Sequence, residues 1–278
     1  MTVVERIEQA SGLDPVSDRL QRLVSGLPRP VRDLLHGVWL GHPLHPAMVH
    51  PPVGAWMSAA ILDLIPGQRR AATMLLATGT AAAVPSAVAG LNDWASLDRD
   101  QRRTGLAHAL ANVTALALFT GSLVARSRGR RGRALSFAAL GVAGAGAYLG
   151  GHLSYKQGAG VNQAVPDLFR LPDGWQPLGD AMSYVDGAMT GRRIGDVPVL
   201  VYRHGDEFTV MLERCGHQTG PLADGEQTEV AGQPCVVCPW HGSTFRLADG
   251  GVVHGPAATD QPTLLTRVVD GRLQACRP

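Results

Sequence analysis

The chain has 278 residues, with 25 Lys and Arg against 23 Asp and Glu, a formal net charge of +2. That balance excludes the strongly basic surface of a nucleic-acid binder, and 4 cysteines in this length exclude a small disulfide-stapled scaffold. The hydrophobic share of 45% hides a sharp division, because residues 48–155 are dominated by Ala, Leu, Val and Gly while the rest is polar and rich in turns.

The N-terminus, MTVVERIEQASG, carries early acidic residues and no apolar stretch, so no secretory signal peptide is expected there. Next, PVRDLLHGVWLG places Val31, Leu34, Leu35 and Val38 on one helical face with Trp39 beside them, the pattern of a helix lying in a membrane interface. Four apolar stretches follow, over 48–65, 71–91, 105–125 and 134–155. About 20 apolar residues are needed to cross a bilayer. The last three meet that length without a charge, whereas the first is shorter and holds Asp63. Abundant small residues suit helix packing in lipid, and a four-helix transmembrane bundle is expected. Arg69 and Arg70 follow the first span, and Arg126, Arg128, Arg130, Arg131 and Arg133 follow the third. By the positive-inside rule these connections face the cytoplasm, and both termini and the loop after the second span face outward.

On that topology His45 and His50 near the first span, His108 opening the third and His152 closing the fourth all fall at one membrane face, with His42, Asp93 and Trp94. Ionisable side chains in apolar helices are functional candidates. Facing imidazoles on two helices are what a b-type haem needs. His108 and His152 are the preferred axial pair, with His50 or His45 as substitutes, and copper or a non-haem metal would also accept imidazoles. The segments GHPLHPAMVHPPVGAW, GLNDW and GGHLSYKQGAGVN resemble the four-helix membrane family known as domain of unknown function 2231, over about residues 38–162. The resemblance implies a four-helix fold in a bacterial cytoplasmic membrane and no settled activity.

From about Gly174 the chain reads as short β segments, with hairpin turns at RHGDEF and VDGRL, so a small antiparallel barrel or sandwich is expected. Two of its loops hold C-x-H (Cys215, His217) and C-x-x-H (Cys238, His241), with 20 residues between His217 and Cys238. Two Cys and two His suit structural zinc. One of each per loop suits a dinuclear centre instead. CGHQTGPL and CPWHGSTF resemble the Rieske [2Fe–2S] protein family over about residues 174–278. The resemblance implies that Cys215 and Cys238 bind one iron and that His217 and His241 bind the other. Cys235 reads as a small buried residue, and the sequence leaves open whether Cys276 pairs with it in an oxidised domain. The expected domains are residues 1–40 as an amphipathic segment, 41–155 as an all-α transmembrane domain, 156–173 as a linker and 174–278 as an all-β Rieske-type domain.

Only 37 residues follow His241, and of these His254 alone is a histidine, which leaves no room for the mononuclear iron site of a ring-hydroxylating oxygenase. Phosphate-binding loops, dinucleotide fingerprints and nucleophile elbows are absent from the sequence. A membrane-anchored electron carrier is the expectation, working between a quinone pool or haem and a redox partner. A ferredoxin-like donor to a separate oxygenase and a non-catalytic redox or iron sensor are the alternatives. Within the Rieske resemblance, Ser243 matches the serine that donates to a bridging sulfide, Phe245 stands where high-potential members have a tyrosine, and Trp240 fills the slot of an extra cysteine. That combination implies a potential in the lower half of a range of about −150 to +300 mV.

Overall fold

The computed structural model describes residues 2–278. They divide into two units: the residues up to Pro28 with Leu44–Ala159, and Arg29–Pro43 with Gly160–Pro278. Residues 1–40 therefore do not form one piece, because the chain crosses from the first unit to the second after Pro28.

Helices α1 (Val3–Glu8) and α2 (Asp14–Ser25) open the chain. Helix α3 (Arg29–His36) belongs to the second unit. The first unit resumes with α4 (Leu44–Met48), α5 (His50–Leu64), α6 (Arg69–Trp94), α7 (Arg99–Ser127) and α8 (Arg133–Tyr155). Among the described residues, α6, α7 and α8 are long and apolar enough to cross a membrane. The expected span over 48–65 is shorter than the other three. Prolines in the first turn of α5 start it at His50, and the chain leaves the helix after Leu64, with Gly67 at φ +83°. Fifteen residues reach only about 22 Å at 1.5 Å per residue.

The outer surface of this unit is apolar, unlike that of a water-soluble bundle, and several polar side chains lie inside. Val53, Met57 and Ile61 of α5, Met74, Val84 and Val88 of α6, and Leu110 and Val113 of α7 are exposed, while Ser86, Ser122, Arg126 and Ser136 are buried. Apolar side chains outside and polar ones inside suit a hydrocarbon surround. The core is built on Trp56 stacked on Phe119, with ring centroids 4.3 Å apart, among Ala59, Leu76, Ala115 and Ala139. A Cβ at Gly79 would stand 2.8 Å from the Trp56 ring, so only glycine lets α6 approach. Near the arginine-rich end, Arg126 donates to both carboxylate oxygens of Asp63 and to the hydroxyls of Ser122 and Ser136. At the other end of α7, Arg103 grips Asp14 through two bonds of 2.7 Å and Arg102 meets Asp18 at 2.8 Å, which clamps α2 to the bundle.

In the second unit, α9 (Val165–Arg170) leads into ten antiparallel strands. A six-stranded sheet has the order β1 (Gln176–Asp180), β10 (Arg272–Cys276), β9 (Thr263–Val269), β4 (Glu207–Leu212), β3 (Val197–His204), β2 (Met189–Ile194). A four-stranded sheet has the order β5 (Glu226–Val230), β6 (Gln233–Val237), β7 (Thr244–Arg246), β8 (Val252–His254). The two anticipated hairpins form. Gly205 turns β3 into β4, and Asp270 with Gly271, at φ +49° and +73°, turns β9 into β10. Strand β3 is buried on both faces. Its alternation sends Val199 and Val201 into a core with Leu178, Tyr184 and Leu273. Leu200 and Tyr202 enter a second core, with Met211, Val236 and Phe245, which also contains Cys215 and Cys238.

The Asp63–Arg126 pair is almost sealed, with side-chain exposures of 5% and 3%. Arg126→Ala leaves a buried carboxylate uncompensated and is expected to destabilise the full chain by about 3–5 kcal/mol. Thermal unfolding in detergent should show the Asp63→Ala/Arg126→Ala double variant melting above Arg126→Ala alone.

Candidate metal centre

The two C-x-H and C-x-x-H loops are the same turn used twice. In the first, following β4, the Cys215 amide donates to the Gly220 carbonyl (2.9 Å) and the Thr219 amide donates to the Cys215 carbonyl (2.9 Å). In the second, between β6 and β7, the Cys238 amide donates to the Ser243 carbonyl (2.8 Å) and the Gly242 amide donates to the Cys238 carbonyl (3.1 Å). Both turns pass through the left-handed region at the fourth residue after the cysteine, with φ of 59° at Thr219 and 78° at Gly242. Glycine takes that conformation freely, whereas a β-branched threonine there is strained, by about 1–2 kcal/mol. The strain persists because the loop is held from three sides. The buried Gln261 donates to the carbonyls of Leu212 and Arg214 (2.7 Å each) and accepts the Gly216 amide (2.9 Å). The Gln163 amide donates to the Gly216 carbonyl at 2.8 Å. Arg214 is anchored on Asp167 of α9 at 3.1 Å.

The turns face each other and sort their side chains by type. Cys215 and Cys238 are buried and hydrogen-bonded sulfur to sulfur. The rings of His217 and His241 lie edge to face, 5.0 Å between centroids, and are partly exposed. The approach is close enough that a Cβ on Gly220 would stand 2.7 Å from the Cys238 sulfur and 3.1 Å from Trp240. The Cys215 thiol donating to it, helped by the amides of Trp240 and His241, draws the Cys238 pKa down to about 6 against the opposing effect of burial. Cys215 is pushed up, first by holding that shared proton and then by burial. Burial, then the neighbouring His241 and His36, lowers His217 to about 3, so its imidazole is neutral. The His217 Nδ1 is buried with no hydrogen-bond partner. A thiolate-forming pair beside the neutral His217 imidazole, with its unclaimed buried nitrogen, is a donor set that suits a metal centre. No three His, Cys, Asp or Glu side chains among the described residues converge on a single ion. The two sulfurs lie together, and so do the two imidazoles.

The flanking residues anticipated from sequence lie at the same place. Ser243 is fully buried with its hydroxyl against the Cys215 sulfur, and it accepts the Ala257 amide at 3.0 Å. Phe245 is sealed in the core that holds both cysteines, and Trp240 is 57% exposed at the rim. Cys235 and Cys276 are free thiols on different sheets. Gln261, Asp167 and Asn162, whose amide oxygen a Cβ on Gly216 would approach to 2.8 Å, carry no local sequence signal for a role in the loop.

The helix-end histidines are arranged otherwise than expected. His45 and His108 come together, with ring centroids 6.4 Å apart and nearly perpendicular. His152 does not join His108, because its Nε2 bonds Glu8 at 2.6 Å. His50 is exposed and bonds the Ala47 carbonyl at 3.2 Å. The expected haem b axial pair of His108 and His152 is therefore not formed. The Nδ1 of His45 donates to the Ser86 carbonyl and that of His108 to the Gly146 carbonyl, both at 2.8 Å.

Residues 41–163 match the family described as Predicted membrane protein (DUF2231), and residues 174–268 match the Rieske [2Fe-2S] domain. A human Rieske domain-containing protein is 40% identical over 57 residues, 20% of this chain and 36% of that protein, so the chain spans little more than a third of that relative's length. The ferredoxin subunit of anthranilate 1,2-dioxygenase from Burkholderia cepacia is 28% identical over 100 residues, 36% of this chain and 89% of that subunit. Among solved structures, the ferredoxin of Sphingomonas yanoikuyae B1 is 25% identical, covering 38% of this chain and 100% of its own, with a TM-score of 0.33. The ferredoxin of carbazole 1,9a-dioxygenase from Nocardioides aromaticivorans IC177 is 19% identical, covering 37% and 99%, with a TM-score of 0.33. The chain thus joins a domain of a predicted membrane-protein family, over residues 41–163, to a C-terminal Rieske [2Fe–2S] domain over residues 174–268.

Proposed function

We propose that the chain is a membrane-anchored, one-electron carrier whose [2Fe–2S] cluster is held by Cys215 and Cys238 on one iron and by His217 and His241 on the other. The observation that carries this reading is the pairing of two equivalent turns, sulfur to sulfur and imidazole to imidazole, with the His217 Nδ1 buried and unbonded. When bound, such a cluster accepts and releases single electrons without moving substrate atoms. The protein's part is to keep both sulfurs dry, to aim the amides of Trp240 and His241 at the Cys238 sulfur, and to leave the imidazole edges within reach of a partner. A redox protein is the partner class favoured, since a relative over this region is the ferredoxin subunit of a dioxygenase. The apolar helices α6, α7 and α8 supply the anchor.

The reduced full chain in detergent should give the rhombic EPR signal of a Cys2His2-ligated cluster. Cys215→Ser, Cys238→Ser, His217→Ala and His241→Ala should each abolish it; its survival in His241→Ala would end the assignment. Gly220→Ala forces a methyl group against the Cys238 sulfur and should cut cluster occupancy well below the parent protein, read as iron per chain. Hydrogen bonds to cluster sulfurs favour the reduced, more negative state and raise the potential. Ser243→Ala should therefore lower the midpoint, and Phe245→Tyr should raise it. A redox titration showing Phe245→Tyr below the parent would contradict a sulfur-directed hydroxyl at that position.

A further inference from the structure

Helix α3 precedes every apolar helix in the sequence, yet it belongs to the β unit and grips residues 254–255 there. Asp33 accepts the Gly255 amide at 3.0 Å through one carboxylate oxygen and meets the His254 Nδ1 at 2.8 Å through the other. One turn further on, His36 is 2% exposed with its ring laid on Gly255, where a Cβ would stand 2.7 Å from the ring. The gripped loop then passes through Pro256 to Ala257, whose amide donates to the Ser243 hydroxyl at 3.0 Å. Ser243 in turn faces the Cys215 sulfur. His36 is also near enough for its charge to be felt at His217.

A serine hydroxyl has one proton and two lone pairs. With one lone pair taken by the Ala257 amide, the O–H is turned away from that amide and toward the sulfur. If the loop moves, the amide withdraws and the hydroxyl is free to rotate. The hydrogen bond that favours the reduced cluster is then weakened.

We propose that Asp33 and His36 are positioning residues for the cluster: they fix residues 254–257 so that the Ala257 amide holds the Ser243 proton on the Cys215 side. The inference rests on the cluster assignment above. It adds that the potential is governed in part by a helix about 180 residues away in sequence, counted from Asp33 to Cys215.

Charge and position predict opposite signs, which makes the test decisive. Removing a nearby negative charge alone would raise the midpoint potential in both Asp33→Ala and Asp33→Asn. Loss of positioning lowers it in Asp33→Ala, while Asp33→Asn keeps an acceptor for the Gly255 amide and is not lowered. EPR-monitored titration of the full chain in detergent should show that pattern. In the Ser243→Ala background, Asp33→Ala should cause no further fall, because the two act through one hydroxyl. Hydrogen exchange at the Gly255 and Ala257 amides should be faster in Asp33→Ala. A midpoint in Asp33→Ala equal to or above the parent overturns the proposal, as does a fall of undiminished size in the Ser243→Ala background. Should Asp33→Ala fail to load the cluster, His254→Ala, which removes one of the two partners of Asp33, is held to the same criteria. A parent protein without the rhombic signal would defeat the cluster reading itself, whereas a normal signal unresponsive to Asp33 defeats only this inference.

Discussion

Two thiols in direct contact in an apolar core are the constraint on which the β unit depends. Sulfur to sulfur, Cys215 and Cys238 share one proton between them. Backbone dipoles do the work that a lysine or arginine would do elsewhere. The amides of Trp240 and His241 turn toward Cys238, and the amide of His217 with the Ser243 hydroxyl turns toward Cys215. Aiming that many donors inward needs tight turns, and tight turns need backbone in the left-handed region, at Thr219 and Gly242. The strain at Thr219 follows from the electrostatic task of the loop.

Strand β3 makes that arrangement affordable to the fold by separating two cores. One face of the strand closes the outer core with Leu178, Tyr184 and Leu273, which holds the sheet together without reference to the cluster loops. The other face, through Leu200 and Tyr202, forms the wall against which both cysteines rest. Met211 and Phe245 complete that wall, so the second core is both packing and insulation. Each fully buried side chain of this size stabilises by about 1.5–3 kcal/mol, enough to offset one residue held in the left-handed region.

What was legible in the sequence is what local order decides. Cys–His spacing, the glycine that follows Cys215 and the one that follows His241, the two hairpins and the long apolar helices α6, α7 and α8 all depend on neighbours within a few residues. The apolar face expected at α3 is only partly outside: Val31, Leu34 and Trp39 are exposed, whereas Leu35 and Val38 are half-buried. The polar side of α3 was not legible: the bonds from Asp33 to His254 and Gly255 span 221 and 222 residues, and no periodicity reports a contact of that kind. Gln261 is a similar case, a single buried amide serving three backbone groups of a loop 45 to 49 residues away. The helix-end histidines show a different limit. Counting spans places a residue at a depth, but the rotation of each helix decides what it meets. His108 and His152 share a level in the count yet turn to different partners, Gly146 on one side and Glu8 on the other.

That rotation also gives the imidazoles inside the apolar helices their partners. A carbonyl can only accept, so the Nδ1 of His45 and of His108 must each carry the proton, and each uses it to bind the backbone of a neighbouring helix. Such a bond matters more where no water competes for it. Glycine opens the space on the receiving side. A Cβ on Gly90 would stand 2.8 Å from the His45 ring, and one on Gly150 would stand 3.1 Å from that of His108. Both imidazoles therefore act as cross-helix clamps, set in slots that only glycine leaves open. Asp63 and Arg126 do for the arginine-rich end of the unit what these histidines do for α4, α6, α7 and α8. In each case a polar side chain turns inward to a partner on another helix. The apolar residues are left on the outer surface, where lipid rather than water is the solvent they fit.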